Sequence, residues 1–234
     1  MCIKTATMLC VILLFAISMP TFSQIKAVKI SKSQIPTEIK YSSIPICSYK
    51  WTDKLGTNYL ICSMSKEYAP PEAIEARKHY QITKYDDYID TMYDSYEADF
   101  INRELYAARY CVSNGKVNVV WQLEDEVHQC PADMTLKFLG KPQITDLNGD
   151  NTAEVWFLYT LGCRSDVSPV DMKLIMYDGK NKYAIRGTRI LQYEGQTEFD
   201  GGDKKMDEAF YKLSDNYQKY AWKLWNKFKT EHLE

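Results

Sequence analysis

The feature that most constrains this chain is AEVWFLYTL at 153–161, where apolar side chains occupy both alternating faces. A strand of that kind belongs in the middle of a sheet, with cover on each side. An acidic loop, TDLNGDN, leads into it, and a polar turn, CRSDVSP, leaves it. The following DMKLIMYDGKNKYAIRG reads as a β-hairpin turning at Asp178-Gly179. Upstream, 105–112 and 116–124 flank Asn114-Gly115, a strong marker of a two-residue hairpin. Short strands are expected at 135–138 and 142–145. A further hairpin about Lys54-Leu55 would join ICSYKW to NYLICSM.

After Gly201-Gly202 the period changes. Met206, Phe210, Leu213, Tyr217, Tyr220, Leu224 and Phe228 recur at steps of three and four, which makes one apolar helical stripe. Asp203, Asp207 and Glu208 near its start and Lys227 and Lys229 near its end suit the helix dipole. Ser214-Asp215 is a candidate break within it. The expected fold class is α+β: a mainly antiparallel β-sheet with a C-terminal amphipathic helix packed on it. The sheet core would span about 41–190 and the helix about 203–231, in a single domain covering 24–234.

Asp146, Asn148, Asp150, Thr152 and Glu154 stand at relative positions 1, 3, 5, 7 and 9. Calcium takes six to eight hard oxygens, and short loops supply them from alternate side chains plus a carbonyl at position 7. Position 6 needs a left-handed backbone, and Asn151 tolerates it better than most residues. Position 12 is Phe157 where an EF-hand has Glu, so that motif is excluded. The loop resembles the Asp-x-Asn-Gly-Asp loops of secreted FG-GAP and VCBS-type proteins, which lead into a strand. Calcium is the cofactor this spacing implies. The other reading is an ordinary polar turn between strands. The loop is single, which argues against a propeller built from repeats.

Residues 1–23 read as a secretory signal peptide, with Lys4 before an apolar core at 8–17 and small residues before Gln24. That core is too short to span a bilayer, and no later stretch is apolar enough, so no membrane span is expected after cleavage. The chain has 29 Lys and Arg against 31 Asp and Glu, a formal net charge of −2. Nucleic acid calls for a concentrated basic face, and none is visible. Its 18 Tyr and 5 Trp can fill a core or form stacking platforms for sugars.

Past the leader, the cysteines are Cys47, Cys62, Cys111, Cys130 and Cys163. An oxidising compartment favours disulfides. The hairpin about Lys54-Leu55 sets Cys47 opposite Cys62, a spacing that a bridge can close. Cys111 with Cys130 is a second candidate, although the Asn114-Gly115 hairpin sets Cys111 opposite Asn118. Cys163 is then the odd thiol, or it takes a partner from one of those pairs; spacing alone does not fix connectivity.

His79, His128 and His232 make no zinc spacing, and neither a Gly-x-Ser-x-Gly elbow nor a phosphate-cradling glycine loop occurs. Glu124 with Glu126, or Asp166 with Asp171, could approach within glycosidase range, but surface placement explains them as well. Arg164, Asp166, Ser168 and Asp171 form a polar loop directly after the covered strand, a position where function often sits. The run of Asp86, Asp87, Asp90, Asp94 and Asp99 reads as a solvated face or an acidic site.

The segment 105–187, with LYAARYCV, HQCPADMTLKF, the acidic loop, the CRSDVSP turn and KLIMYDG…KYAIRG, resembles a Bacteroidetes family of secreted surface polysaccharide biosynthesis proteins. The resemblance implies a part in building or displaying lipopolysaccharide or capsule, in the periplasm or on the surface of a Gram-negative cell. The implied partners are polysaccharide or envelope assembly proteins. It implies no defined reaction and no catalytic residues. The expectation is thus a non-catalytic exported protein. The alternatives are an enzyme that processes envelope glycans and a secreted inhibitor of a wall-degrading enzyme.

Overall fold

A computed structural model of the chain describes residues 25–69, 100–195 and 200–233. The expected signal peptide and the Asp86–Asp99 run lie outside those residues. Two antiparallel sheets stack face to face, and each has a different cover on its outer side.

The first sheet orders its strands β1 (Val28–Lys29), β2 (Ile44–Asp53), β3 (Gly56–Met64), β4 (Ile101–Ser113) and β5 (Lys116–Cys130) as consecutive neighbours. Both expected tight turns are present. Asp53 pairs with Gly56 around Lys54-Leu55. Ser113 pairs with Lys116 around Asn114-Gly115, whose φ angles of 51° and 71° are both left-handed. That is the primed turn whose twist matches the flanking strands.

The second sheet runs β13 (Lys204–Met206), β10 (Asn181–Thr188), β9 (Asp171–Asp178), β8 (Glu154–Arg164) and β6 (Asp133–Phe138), with β7 (Gln143–Thr145) also pairing β8. β8 is central and buried from Glu154 to Thr160, as its unbroken apolar run requires. Its odd-numbered side chains, Val155, Phe157 and Tyr159, face the first sheet and meet Trp51, Leu60, Trp121 and Leu123. Its even-numbered Trp156 and Leu158 face the other way, toward the C-terminal helices. Trp121 stacks on Tyr177 of β9 with ring centroids 4.0 Å apart, which joins the two sheets at the core.

The C-terminal stripe folds as two helices, α1 (Glu208–Tyr211) and α2 (Asp215–Phe228), split at Ser214. Phe210, Tyr217, Leu224 and Trp225 bury against Trp156, Leu174 and Ile185. Asp215 in the first turn and Lys227 in the last suit the dipole. Helix does not continue to 231. Thr230–Leu233 is β14, parallel to β11 (Ile190–Tyr193), which also pairs β12 (Asp200–Gly201). Close approach at β10 permits the return of the chain: a Cβ on Gly187 would lie 1.8 Å from the Asp203 carbonyl oxygen.

The outer face of the first sheet is partly covered by the N-terminal segment, where Ile35 and Ile39 pack on Tyr59, Ile61 and Tyr110. The result is four layers: an N-terminal strap, two sheets and a helical cover. The α+β expectation holds broadly, with β structure dominant.

Candidate functional site

The acidic loop is held from below by a buried ion pair. Arg109 of β4 and Asp53 at the end of β2 both have fully buried side chains, with Nη2 and Oδ2 2.5 Å apart. Asp53 also accepts from Trp51 Nε1 at 3.0 Å, from the Leu55 and Ala153 amides at 2.9 and 3.1 Å, and from Asn58 Nδ2 at 2.9 Å. Arg109 donates to Asn58 Oδ1 and to the Ala153 carbonyl, both at 3.0 Å, and lies over the Trp51 ring. Burial lowers the guanidinium from its ordinary value, and Asp53 opposes that shift. The pair therefore grips residue 153 by both its N–H and its C=O. The Lys54 amide donates to the Asn151 carbonyl at 2.8 Å beside it. Every side-chain nitrogen and oxygen of the pair has a hydrogen-bond partner, so the network positions the loop exit. Removing one partner alone would strand a buried charge, at a cost of about 3–5 kcal/mol.

The five expected calcium donors make different contacts. Asp146, Asn148 and Asp150 remain in the loop, each accepting a backbone amide: Asn151 to Asp146 at 3.1 Å, Asp150 to Asn148 at 3.1 Å, and Thr152 to Asp150 at 2.7 Å. Asn151 is left-handed at φ 61°, as its position demands. Asp146 Oδ1 is buried without a hydrogen-bond partner. Glu154 is fully buried. Its carboxylate points into the interior, accepting from Thr145 Oγ1 at 2.7 Å, the Leu147 amide at 2.9 and 3.0 Å, and Tyr217 Oη at 2.9 Å. Burial raises the Glu154 carboxyl, and those three donors oppose the rise. Among the described residues, no group of three or more His, Cys, Asp or Glu is arranged to hold a metal ion.

The polar turn after β8 is a tie to the C-terminus. Arg164 donates to the Ser168 carbonyl and pairs with Glu231 of β14 at 3.1 Å. Arg189 meets the same carboxylate at 3.4 Å. Asp166 and Asp171 are exposed. Of the four positions, Arg164 and Ser168 are brought into contact.

The cysteines pair differently from one expectation. Cys130 at the end of β5 is bonded to Cys163 near the end of β8, with Cα atoms 5.5 Å apart. Cys111 with Cys130 is thereby excluded, and the Cys111 thiol donates instead to the Leu55 carbonyl at 3.0 Å. Cys47 does lie opposite Cys62, as the hairpin arithmetic requires, and both are thiols.

One surface was missed by sequence reasoning. On the outer face of the first sheet, Ser63, Tyr106 and Glu124 form a row across β3, β4 and β5. In the next row Glu104 opposes Glu126. Tyr106 Oη donates to Glu104 Oε2 at 2.8 Å, and Tyr68 Oη donates to the other oxygen. Tyr41 and Tyr110 close the strap side, with Tyr110 Oη donating to the Lys40 carbonyl at 2.6 Å. A recess of about 70 Å³ lies among Tyr41, Ser63, Tyr106, Tyr110 and Glu124. Burial and then the Glu104 hydrogen bond push the Tyr106 hydroxyl above its ordinary value, so it stays a neutral donor. The available signal was the alternation of Glu104, Tyr106 and Tyr110 on one face of ELYAARY, visible only once the opposite face is known to be the buried one.

No family model, curated protein or solved structure matches the chain. The functional reading therefore rests on the sequence and on this geometry.

Proposed function

We propose that this is a non-catalytic exported protein that supports surface polysaccharide biosynthesis or display by binding saccharide on the outer face of the first sheet. The observation that carries the reading is the tyrosine and carboxylate surface of Tyr41, Tyr68, Tyr106, Glu104 and Glu124. Sugars present C–H faces that lie on aromatic rings and hydroxyls that seek planar acceptors, and this surface offers both. Its recess is far smaller than the roughly 300–1,000 Å³ of an enclosing small-molecule pocket, so the ligand would rest on an open platform. The signal-peptide reading and the resemblance of 105–187 to the polysaccharide biosynthesis family point the same way.

Binding is favoured over processing by the state of the carboxylates. The buried ones among the described residues, Asp53 and Glu154, are saturated with protein hydrogen bonds. Glu124, at the edge of the small recess, and Glu126 are both exposed on a sheet face.

Calcium belongs to this proposal as a stabiliser of the acidic loop. Asp146, Asn148, Asp150 and the Thr152 carbonyl would hold it, and the orphaned Asp146 Oδ1 is the atom that would gain most.

The test is retention of the full chain on the producing cell's own polysaccharide. Tyr106→Ala and Glu104→Gln should each weaken binding by about tenfold, the loss of one stacking or charge-assisted contact. No retention of wild type, together with unchanged polysaccharide in a deletion strain, rejects the proposal.

A further inference from the structure

Cys47 and Cys62 occupy directly opposed positions on β2 and β3. Cys62 is fully buried in the inter-sheet core, while Cys47 is half-buried. The β1 pairing with β2 covers Lys50 and Tyr49, and the Ile30 amide extends it to the Ser48 carbonyl at 2.9 Å, so Cys47 lies on the edge of the sheet just beyond that cover. A register shift between Pro45 and Cys47 leaves Ile46 unpaired and 47 % exposed beside it. Tyr49, next along the same face, borders an open cavity of about 450 Å³ with Ala27, Gln143 and Ile144. The molecule therefore has two opposed thiols, one half-buried at the sheet edge and one fully enclosed.

We propose that Cys47 and Cys62 form a thiol–disulfide exchange site, with Cys47 as the attacking sulfur, Cys62 as the resolving sulfur and a solvent-borne disulfide as co-reactant. The Cys47 thiolate attacks one sulfur of the disulfide RSSR, forms a mixed disulfide and releases RS⁻, which takes up a proton. Cys62 then loses its proton, attacks Cys47 Sγ and expels the second RS⁻. The protein dithiol is oxidised by two electrons, and RSSR is reduced to two RSH. Reversal runs the same steps from the closed form.

Two features suit the pair to exchange. Hydrogen bonding from Cys62 lowers the Cys47 thiol and Lys29 assists, against an opposing effect of burial, whereas Cys62 is raised well above its ordinary value by its hydrogen bond to Cys47 and by burial. The accessible sulfur is therefore the one that ionises. Directly opposed strand positions also hold their Cβ atoms roughly 4.5–5.5 Å apart, near enough for a bridge to form with a small local shift. Cys130–Cys163 joins separate sheets and shares neither sulfur with this pair.

The experiment incubates the folded full chain in glutathione buffers of graded disulfide-to-thiol ratio, quenches with acid, alkylates, and maps each cysteine by peptide mass spectrometry. Wild type should pass from two alkylated thiols at 47 and 62 to a Cys47–Cys62 crosslink, with Cys111 alkylated throughout. Cys62→Ser should accumulate glutathione on Cys47, and Cys47→Ser should lose exchange. Cys111→Ser should behave as wild type. Alkylatable Cys47 and Cys62 in wild type at the most oxidising ratio overturn the proposal, whatever the variants do. So does a folded Cys62→Ser, checked by circular dichroism, that forms no adduct. Saccharide binding is read separately, so neither proposal's failure imitates the other's.

Discussion

Glu154 shows how much one side chain's surroundings decide. Its charge is taken from water at the start of the central strand, and three donors hold it there. Burial dominates, so its folded pKa lies above the ordinary value of 4.5. The native state then binds its proton more tightly than the unfolded chain does. Stability should fall as pH rises from 4.5 toward the folded value, and be constant on either side of that window. Asp178 is raised in the same sense, and its contribution largely cancels between wild type and a Glu154 variant. Glu154→Gln turns an amide toward groups that donate, which should cost about 1–3 kcal/mol. The gap between the two proteins should narrow as pH rises through the window, measured by thermal melts at several pH values. A gap independent of pH would mean that Glu154 titrates normally.

The acidic loop, as an element, serves two neighbours. Its amides are capped by its own side chains, and its exit is clamped by Arg109 and Asp53. That leaves three side chains and a carbonyl for an ion. If calcium binds only the native loop, the melting temperature should rise with its concentration. At one hundred times the dissociation constant, linkage adds about 2.7 kcal/mol. Asp150→Ala should abolish the rise. No shift at millimolar calcium would leave the loop a hydrogen-bonded turn. The C-terminal element teaches a different lesson. The stripe at Phe210, Tyr217 and Leu224 does pack on the second sheet, yet the periodicity could not show where helix ends. Thr230–Leu233 finds a strand partner in β11, and pairing with that distant edge overrides local helical preference.

At the scale of the whole molecule, the Cys130–Cys163 bond joins the end of a first-sheet strand to the end of a second-sheet strand. The sheets also meet through Asp125, which pairs with Lys173 at 2.6 Å and accepts from Tyr159 Oη at 2.7 Å. Closing a loop across a separation of 33 residues should stabilise the fold by about 4 kcal/mol through the unfolded chain's lost freedom. Cys130→Ser with Cys163→Ser should lower the denaturant midpoint accordingly. An unchanged midpoint would show that packing alone fixes the two sheets.

By itself the sequence determined what depends on neighbours along the chain. The turns at Lys54-Leu55 and Asn114-Gly115 fixed their own registers, and with them the apposition of Cys47 to Cys62. The apolar run at 153–161 required a covered central strand. Tertiary structure decided what depends on partners far apart in the chain: Cys163 rather than Cys111 for Cys130, an inward course for Glu154, and an open rather than covered face at Tyr106. The reason is physical. Turn geometry and side-chain alternation are set within a few residues, whereas which face of a strand meets water is set by whatever packs against it.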